Sequence, residues 1–329
     1  MRIAVDAMGG DYAPELIING AIQAVKEFNL DVVLVGDKAA IEKLLKKNQY
    51  SGSHIEIFPS SEVIEMDEPP ALSVRRKRDS SIVRGIELVK RNEADAFFSA
   101  GNTGAVACAA TLSLGLLTGI ERPGIAIIVP NLKNISLIID VGANIDPKPS
   151  HLVQYGIMAD VYSRYILNKT NPSIGLLNIG EEESKGTDFM KETHALFEQS
   201  RLNFIGNVEG KDLFSGKCDC IVCDGFVGNV ALKVSESLAE TLMIFLKREI
   251  MSNFMGKLGA MFLRQSLKRI KKKVDYAEYG GAPLLGINGV VMIGHGRSNS
   301  KAVKNAIRFA AEEVERKVND KILEGMKKI

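Results

Sequence analysis

The chain has 329 residues, 46% of them hydrophobic and 25% charged, and a formal net charge of +2. These figures fit a globular protein of one large domain or two smaller ones and exclude a disordered chain. So small a net charge sets up no global field that would select nucleic acid, so electrostatic partners must be read from local clusters.

In chain order, a strand-like run at 3–5 leads into Asp6-Ala7-Met8-Gly9-Gly10-Asp11. A strand this early, with an acid at Asp6, predicts no secretion signal. A helix over 14–28, a strand at 32–35, a helix over 39–47 and a strand at 55–58 follow. The run Arg75-Arg76-Lys77-Arg78 then precedes a helix predicted over 81–91, and a solvated helix face is its ordinary reading. Next, a strand at 96–99 enters Ala100-Gly101-Asn102-Thr103-Gly104. No charge occurs from 96 to 120, but only 105–117 is mostly apolar, too short to span a bilayer. A strand, a turn and a buried helix account for it.

Strands at 125–129 and 137–139 come next, the second entering Asp140-Val141-Gly142-Ala143-Asn144. A helix over 150–168 is expected to be capped by Ser150, with Leu152, Val153, Ile157, Val161, Tyr165 and Ile166 at helical spacing. Further strands are predicted at 174–177, 204–205 and 221–223, the last entering Asp224-Gly225-Phe226-Val227-Gly228-Asn229. The stretch 234–274 reads as a helical hairpin projecting from the sheet. Its apolar middle, 254–263, lies near the tip, and 264–273 holds six basic residues and no acid. A strand at 290–293 ends in Gly294-His295-Gly296-Arg297-Ser298-Asn299.

Several strands are continuous Val/Ile runs, as in strands buried on both faces, so the pattern predicts an α/β fold with a largely parallel sheet. Five of these strands run into turns rich in Gly, Asn and Asp. Such turns expose backbone N–H groups, and helix N-termini attract anions. If the strands are parallel neighbours, their ends form one crevice for a phosphate-sized anion.

The rival motifs are incomplete. In Gly294-His295-Gly296-Arg297-Ser298-Asn299, Asn299 stands where a dinucleotide fingerprint needs its third Gly, and no strand ending in an acid follows at the required distance. No P-loop or G-x-S-x-G elbow occurs. Cys218, Cys220 and Cys223 lack zinc-site spacing, and strand alternation would put Cys218 and Cys220 on one face and Cys223 on the other, as buried reduced thiols. A phosphate-binding enzyme needs no nucleophile of its own, because the phosphate oxyanion can attack. It needs an anion cradle, oxyanion donors and a proton source. His151 and His295 are candidates for anion or substrate binding, with turn stabilisation as the alternative. Lys185, in a loop after a strand, could neutralise charge or protonate a leaving group, or be a solvated loop charge. Asp224 and Asn229 could orient substrate or simply cap a helix.

Together the motifs around Asp6–Asp11, Ser99–Ala105, Asp140–Asn144 and Cys223–Asn229, with Gly280-Gly281-Ala282-Pro283-Leu284-Leu285-Gly286, resemble the bacterial phosphate acyltransferase (PlsX) family along essentially the whole chain. The resemblance implies a single three-layer α/β/α domain over 1–329, similar to phosphotransacetylases and isocitrate/isopropylmalate-dehydrogenase-like enzymes. It implies conversion of acyl-(acyl carrier protein) and inorganic phosphate to acyl phosphate, which feeds a membrane glycerol-3-phosphate acyltransferase in phospholipid synthesis. A homodimer is implied as well.

On that reading Lys185, Asp224 and Asn229 are the catalytic candidates. Asp6, Gly9, Gly10, Gly101, Asn102, Thr103, Gly104, Asn144, His151, Gly225 and His295 would bind phosphate or substrate. No metal or cofactor is expected. Met255, Leu258, Met261, Phe262, Arg264, Lys268 and Lys271 would meet an anionic membrane surface or a partner, with a dimer interface as the alternative. The basic clusters could dock an acidic carrier protein. The expected location is cytoplasmic, peripherally membrane-associated. The rivals are a metal-dependent hydroxyacid dehydrogenase on a similar fold and a non-enzymatic membrane-associated scaffold.

Overall fold

The computed structural model describes residues 1–273 and 275–327, with the backbone alone for 267, 270–273 and 276. The first stretch comprises β1 (Arg2–Asp6), α1 (Glu15–Phe28), β2 (Asp31–Gly36), α2 (Lys38–Lys47) and β3 (Ile55–Pro59). There follow α3 (Pro70–Arg76), α4 (Ser81–Lys90), β4 (Ala96–Ser99), α5 (Thr103–Leu114), β5 (Gly124–Pro130) and β6 (Ile135–Ile139). Next come α6 (Pro149–Tyr165), β7 (Ile174–Leu177), α7 (Asp188–Gln199), β8 (Phe204–Val208), β9 (Cys220–Val222), α8 (Gly225–Met251) and α9 (Phe254–Lys273). The chain closes with β10 (Ala282–Leu285), β11 (Val290–Ile293), α10 (Ser300–Glu315) and α11 (Val318–Met326).

All strands join one sheet in the order β3-β2-β1-β4-β11-β10-β5-β6-β9-β7-β8. Alternate side chains enter two cores, as strand periodicity requires. Ile3 and Val5 of β1 pack with residues of α1, α6 and α10 on one face, whereas Ala4 packs with α4 and α5 on the other. This is the expected three-layer α/β/α arrangement.

Most pairings are parallel, but β10 is antiparallel to both β11 and β5, and β5 is antiparallel to β6. Strands β6, β9, β7 and β8 therefore run opposite to β1–β4 and β11. The registers show how the halves meet. Ser99 is level with Ile293, and Ile293 with Ala282. The pairing of Leu284 with Ile125 carries this row across to Ile127, which is level with Ile138 and, through it, Ile221. For β4 and β11 the row is the last of the strand; for β6 and β9 it is the last but one. The halves are thus offset like two steps. Their C-terminal ends meet the same row from opposite directions, on either side of the β10–β5 pair.

Several sequence expectations need correction. The strand β10 was not anticipated, because Pro283 and the flanking Gly281 and Gly286 read as breakers. Lys148 occupies the N-cap position of α6, its N–H donating to His151 Nδ1, and Ser150 lies inside the first turn. Cys218 and Cys223 share one core while Cys220 lies in the other, because β9 begins only at Cys220 and strand alternation does not extend back to Cys218.

The hairpin is present, but its first helix starts at Gly225 and runs unbroken from the strand-end turn into the arm. Residues Ser252 and Asn253 form the bend, which puts Phe254–Leu263 next to the tip. Five consecutive apolar residues of α8, Leu242 to Leu246, are each at least 40% exposed. No described helix is long and apolar enough to cross a membrane.

Candidate active site: two clusters of strand-end turns

The first cluster gathers the turns after β1, β4 and β11. Asp6 is fully buried, and its carboxylate accepts from the N–H groups of Met8 (3.0 Å) and Gly9 (3.1 Å) and from the Ser99 hydroxyl (2.7 Å). Burial pushes its pKa up, while hydrogen bonds from Ser81, Ser99, Met8 and Gly9 oppose the shift. Ser99 Oγ in turn accepts from the Gly101 N–H at 3.0 Å. A Cβ on Gly9 would stand 2.3 Å from the Asp6 carboxylate and 2.7 Å from the Gly101 nitrogen, so only glycine fits there. Gly10, with φ +107°, lies against the carbonyls of Gly296 and Ala100, and the Asp11 N–H donates to Gly296 O at 2.8 Å.

Asn102 ties this cluster to the segment before α3. Its Oδ1 caps α5 by accepting from the Ala105 N–H, and its Nδ2 lies within 3.2 Å of the carbonyls of Glu65, Met66 and Glu68. Its side chain therefore ties the α5 N-terminus to the 65–68 segment. Among the described residues, the N–H groups of Gly10, Thr103 and Gly104 have no protein acceptor. Thr103 is exposed and Gly104 half-buried at the start of α5, a helix of 12 residues with no charged side chain.

The second cluster gathers the turns after β6 and β9. Buried Asp140 accepts from the N–H groups of Ile125 (3.0 Å), Gly142 (3.2 Å), Ala143 (3.0 Å) and Asn144 (2.7 Å). Burial raises its pKa against these bonds. The Asn144 amide donates to Pro123 O (2.6 Å) and to the Tyr155 hydroxyl (2.8 Å), and Asn144 O accepts from the Gly225 N–H (2.8 Å). Asp224 caps α8, accepting from Phe226 (3.0 Å) and Val227 (2.8 Å). The start of α8 is pressed against the Asp140 turn so closely that a Cβ on Gly228 would lie 1.9 Å from Asp140 O.

The expectation of bare N–H groups in this cluster is overturned. The turns' own Asp and Asn side chains or carbonyls have taken those of Gly142, Ala143, Asn144, Gly225, Phe226 and Val227. The single crevice expected for all five turns is likewise corrected to two clusters, because the strands carrying them run in opposite directions.

The remaining candidates sort by this geometry. Asn229 lies over Gly142, its amide carbon 3.5 Å from the position of a Cβ there, with no protein hydrogen-bond partner among the described residues. His151 is buried and engaged. Its Nδ1 accepts the Lys148 N–H at 3.0 Å, so Nε2 carries the proton and donates to Glu121 at 3.0 Å. Both ring nitrogens thus have protein partners at the N-terminus of α6. Glu121 is held below the usual carboxylate range by this bond.

Lys185 is exposed in the loop after β7, its side chain lying over Gly180 on the same edge as Asp224 and Asn229. In the first cluster, His295 Nδ1 accepts the Arg297 N–H (3.2 Å), and its Nε2 lies 3.9 Å from Glu236 of α8. On the arm, Met255, Leu258, Met261, Phe262, Arg264 and Lys268 are all exposed, whereas the Lys271 side chain lies outside the described residues.

The three buried thiols offer no nucleophile. Burial pushes Cys218 up to about 12 and raises Cys220 and Cys223 as well, so all three are protonated at neutral pH.

A family model described as "Fatty acid synthesis protein" matches residues 1–321. The chain belongs to this family. It is 53% identical to the phosphate acyltransferase of Dictyoglomus turgidum, covering 100% of this chain and 98% of the relative. It is 51% identical to that of Geobacter sulfurreducens, with 99% and 94% covered. The protein is accordingly an acyltransferase. Among solved structures it resembles a phosphotransacetylase from Streptococcus pyogenes, with a TM-score of 0.66 at 18% identity and 96% and 94% of the two chains covered. It also resembles a branched-chain phosphotransacylase from Enterococcus faecalis V583, with a TM-score of 0.59 at 15% identity and 95% and 99% covered. At such identities these two likenesses show the fold alone.

Proposed function

We propose that the protein transfers an acyl group from an acyl carrier protein thioester to inorganic phosphate. A phosphate oxygen attacks the thioester carbonyl carbon, the C–O bond forms, and the C–S bond breaks as the tetrahedral intermediate collapses. The thiolate leaves and takes up a proton, giving acyl phosphate and free carrier. A membrane glycerol-3-phosphate acyltransferase would consume the product.

The observation that supports the first cluster as the phosphate seat is the set of unaccepted N–H groups on Gly10, Thr103 and Gly104 at the opening of α5. Such a helix N-terminus favours an anion. The second cluster, its N–H groups engaged, supports a different role. Asn229 and Lys185 orient the acyl donor or supply the thiolate's proton, and Asp224 holds the α8 N-terminus that positions Asn229. Because the clusters flank the β10–β5 pair, one acyl phosphate in the making would bridge them.

The hairpin gives the rest of the reading. Unlike a core helix, α8 is apolar and exposed around Leu242–Leu246 (each at least 40% exposed), which suits a second copy in a homodimer. The tip, with Phe254 at 77% and Phe262 at 78% exposure and basic residues beyond it, suits an anionic membrane surface. These features support the reading of a peripheral enzyme at the cytoplasmic face of a membrane.

The test is formation of acyl phosphate from purified protein, acyl carrier thioester and phosphate. Thioester loss that does not depend on phosphate would overturn the proposal. A Lys185→Ala variant with full turnover would remove that residue from the mechanism and leave the rest standing.

A further inference from the structure

We propose that the face made by Leu72, Arg75, Arg76 and Arg78 at α3 is the docking surface for an acidic protein that delivers the acyl group. This inference rests on the reading above and adds where the donor lands. Arg75, Arg76 and Arg78 are exposed, and among the described residues none has a carboxylate within ion-pair distance. The fourth base of the run behaves differently: Lys77 pairs with Glu68 and donates to Val63 O, so it belongs to the fold. Three arginines left over after internal pairing, with Leu72 45% exposed beside them, make a cationic patch with an apolar centre. Guanidinium groups suit carboxylate partners, and a complementary acidic surface would be steered onto them.

Position ties this patch to the chemistry. The segment entering α3 lies directly on the first cluster. Pro70 contacts Gly104, and the Met66 methyl lies 3.1 Å from where a Cβ on Gly296 would stand. The Asn102 amide holds the same segment by the carbonyls of Glu65, Met66 and Glu68. A protein seated on α3 is therefore one loop away from the open N–H groups of α5, and a thioester arm can enter past Met66, which is 46% exposed.

The experiment compares two acyl donors with the full-length protein: the carrier-bound thioester and a small thioester without protein. The triple variant Arg75→Glu, Arg76→Glu, Arg78→Glu should raise KM for the carrier-bound donor roughly tenfold or more, the scale of a lost steering interface. Activity with the small thioester should stay unchanged, which shows that the variant folds and keeps its chemistry. The difference should shrink between about 0.01 M and 0.15 M salt, as the Debye length falls from about 30 to 8 Å. An unchanged KM for the carrier-bound donor overturns the proposal. So does a KM effect seen only with Arg264→Glu and Lys268→Glu, which would place docking on α9. Loss of sedimentation with anionic vesicles at unchanged KM overturns it too, assigning the patch to lipid. If the wild-type protein consumes no thioester in a phosphate-dependent way, the underlying reading itself falls, a result visible before any variant is made.

Discussion

The Ser99 hydroxyl donates to the Asp6 carboxylate at 2.7 Å, joining two strand-end turns 93 residues apart. The same oxygen accepts the Gly101 N–H, so one small side chain sets the spacing of the Gly9 and Gly101 turns. Asp6 has no solvent to replace a lost donor.

Ser99→Ala should therefore destabilise the fold by about 1–3 kcal/mol, the range for leaving buried polar groups unsatisfied. Urea unfolding would measure it. Turnover should fall as well, because the Gly101 turn loses its anchor beside the proposed phosphate seat. A neutral effect on both would mean that the turns are held by packing alone.

Gly228→Ala tests the second cluster. Its added methyl would meet Asp140 O at 1.9 Å, so α8 must move off the Asp140 turn. A loss of about 1–3 kcal/mol is expected from overpacking. The displaced Asn229 should reduce kcat, whereas KM for phosphate should change little if phosphate sits in the first cluster.

Glu313 on α10 is fully buried and accepts from the Tyr162 hydroxyl at 3.1 Å. Burial pushes its pKa up to about 8, with a smaller contribution from the Glu312 charge, which Arg308 pairs. A raised carboxyl pKa means that the folded state binds the proton more tightly than the unfolded one. The stabilisation is complete below the ordinary value of 4.5 and is lost as pH rises through about 8. The slope approaches about 1.4 kcal/mol per pH unit within that window. Glu313→Gln should flatten the fall in thermal stability between these limits, as differential scanning calorimetry across the pH range would show.

On the arm, Leu242→Asp with Phe245→Asp should shift the protein to monomer in sedimentation velocity runs. Leu258→Glu should instead weaken co-sedimentation with anionic vesicles while soluble activity remains. If Leu258→Glu changes the oligomeric state and not vesicle binding, the tip belongs to an interface between copies.

Much of the fold was legible along the chain. Strand runs such as 3–5 and 290–293 are short apolar segments bounded by glycine, and their period does not depend on what they pair with. The turns after them were equally plain, because Asp, Asn and Gly in those places answer to local backbone chemistry. Ala282–Leu285 was hidden because its proline reads as a local breaker, although an antiparallel partner tolerates it at this place. His151 read as a free candidate because its two partners, Lys148 N–H and Glu121, meet only once α6 packs beside the loop before β5.

By itself the sequence determined the α/β class, the five strand-end turns, the projecting hairpin and the family. Each rests on periodicity, composition or ordered motifs that a linear chain displays. Only the tertiary structure decided that the turns divide into two clusters, since strand direction depends on how β10 and β5 pair with distant neighbours. It also decided which N–H groups stay open. Asp140 and Asp224 reach their own turns and satisfy them, while the N–H groups of Thr103 and Gly104 at the mouth of α5 have no protein acceptor among the described residues. Hydrogen-bond satisfaction depends on three-dimensional reach, and residue type alone does not settle it.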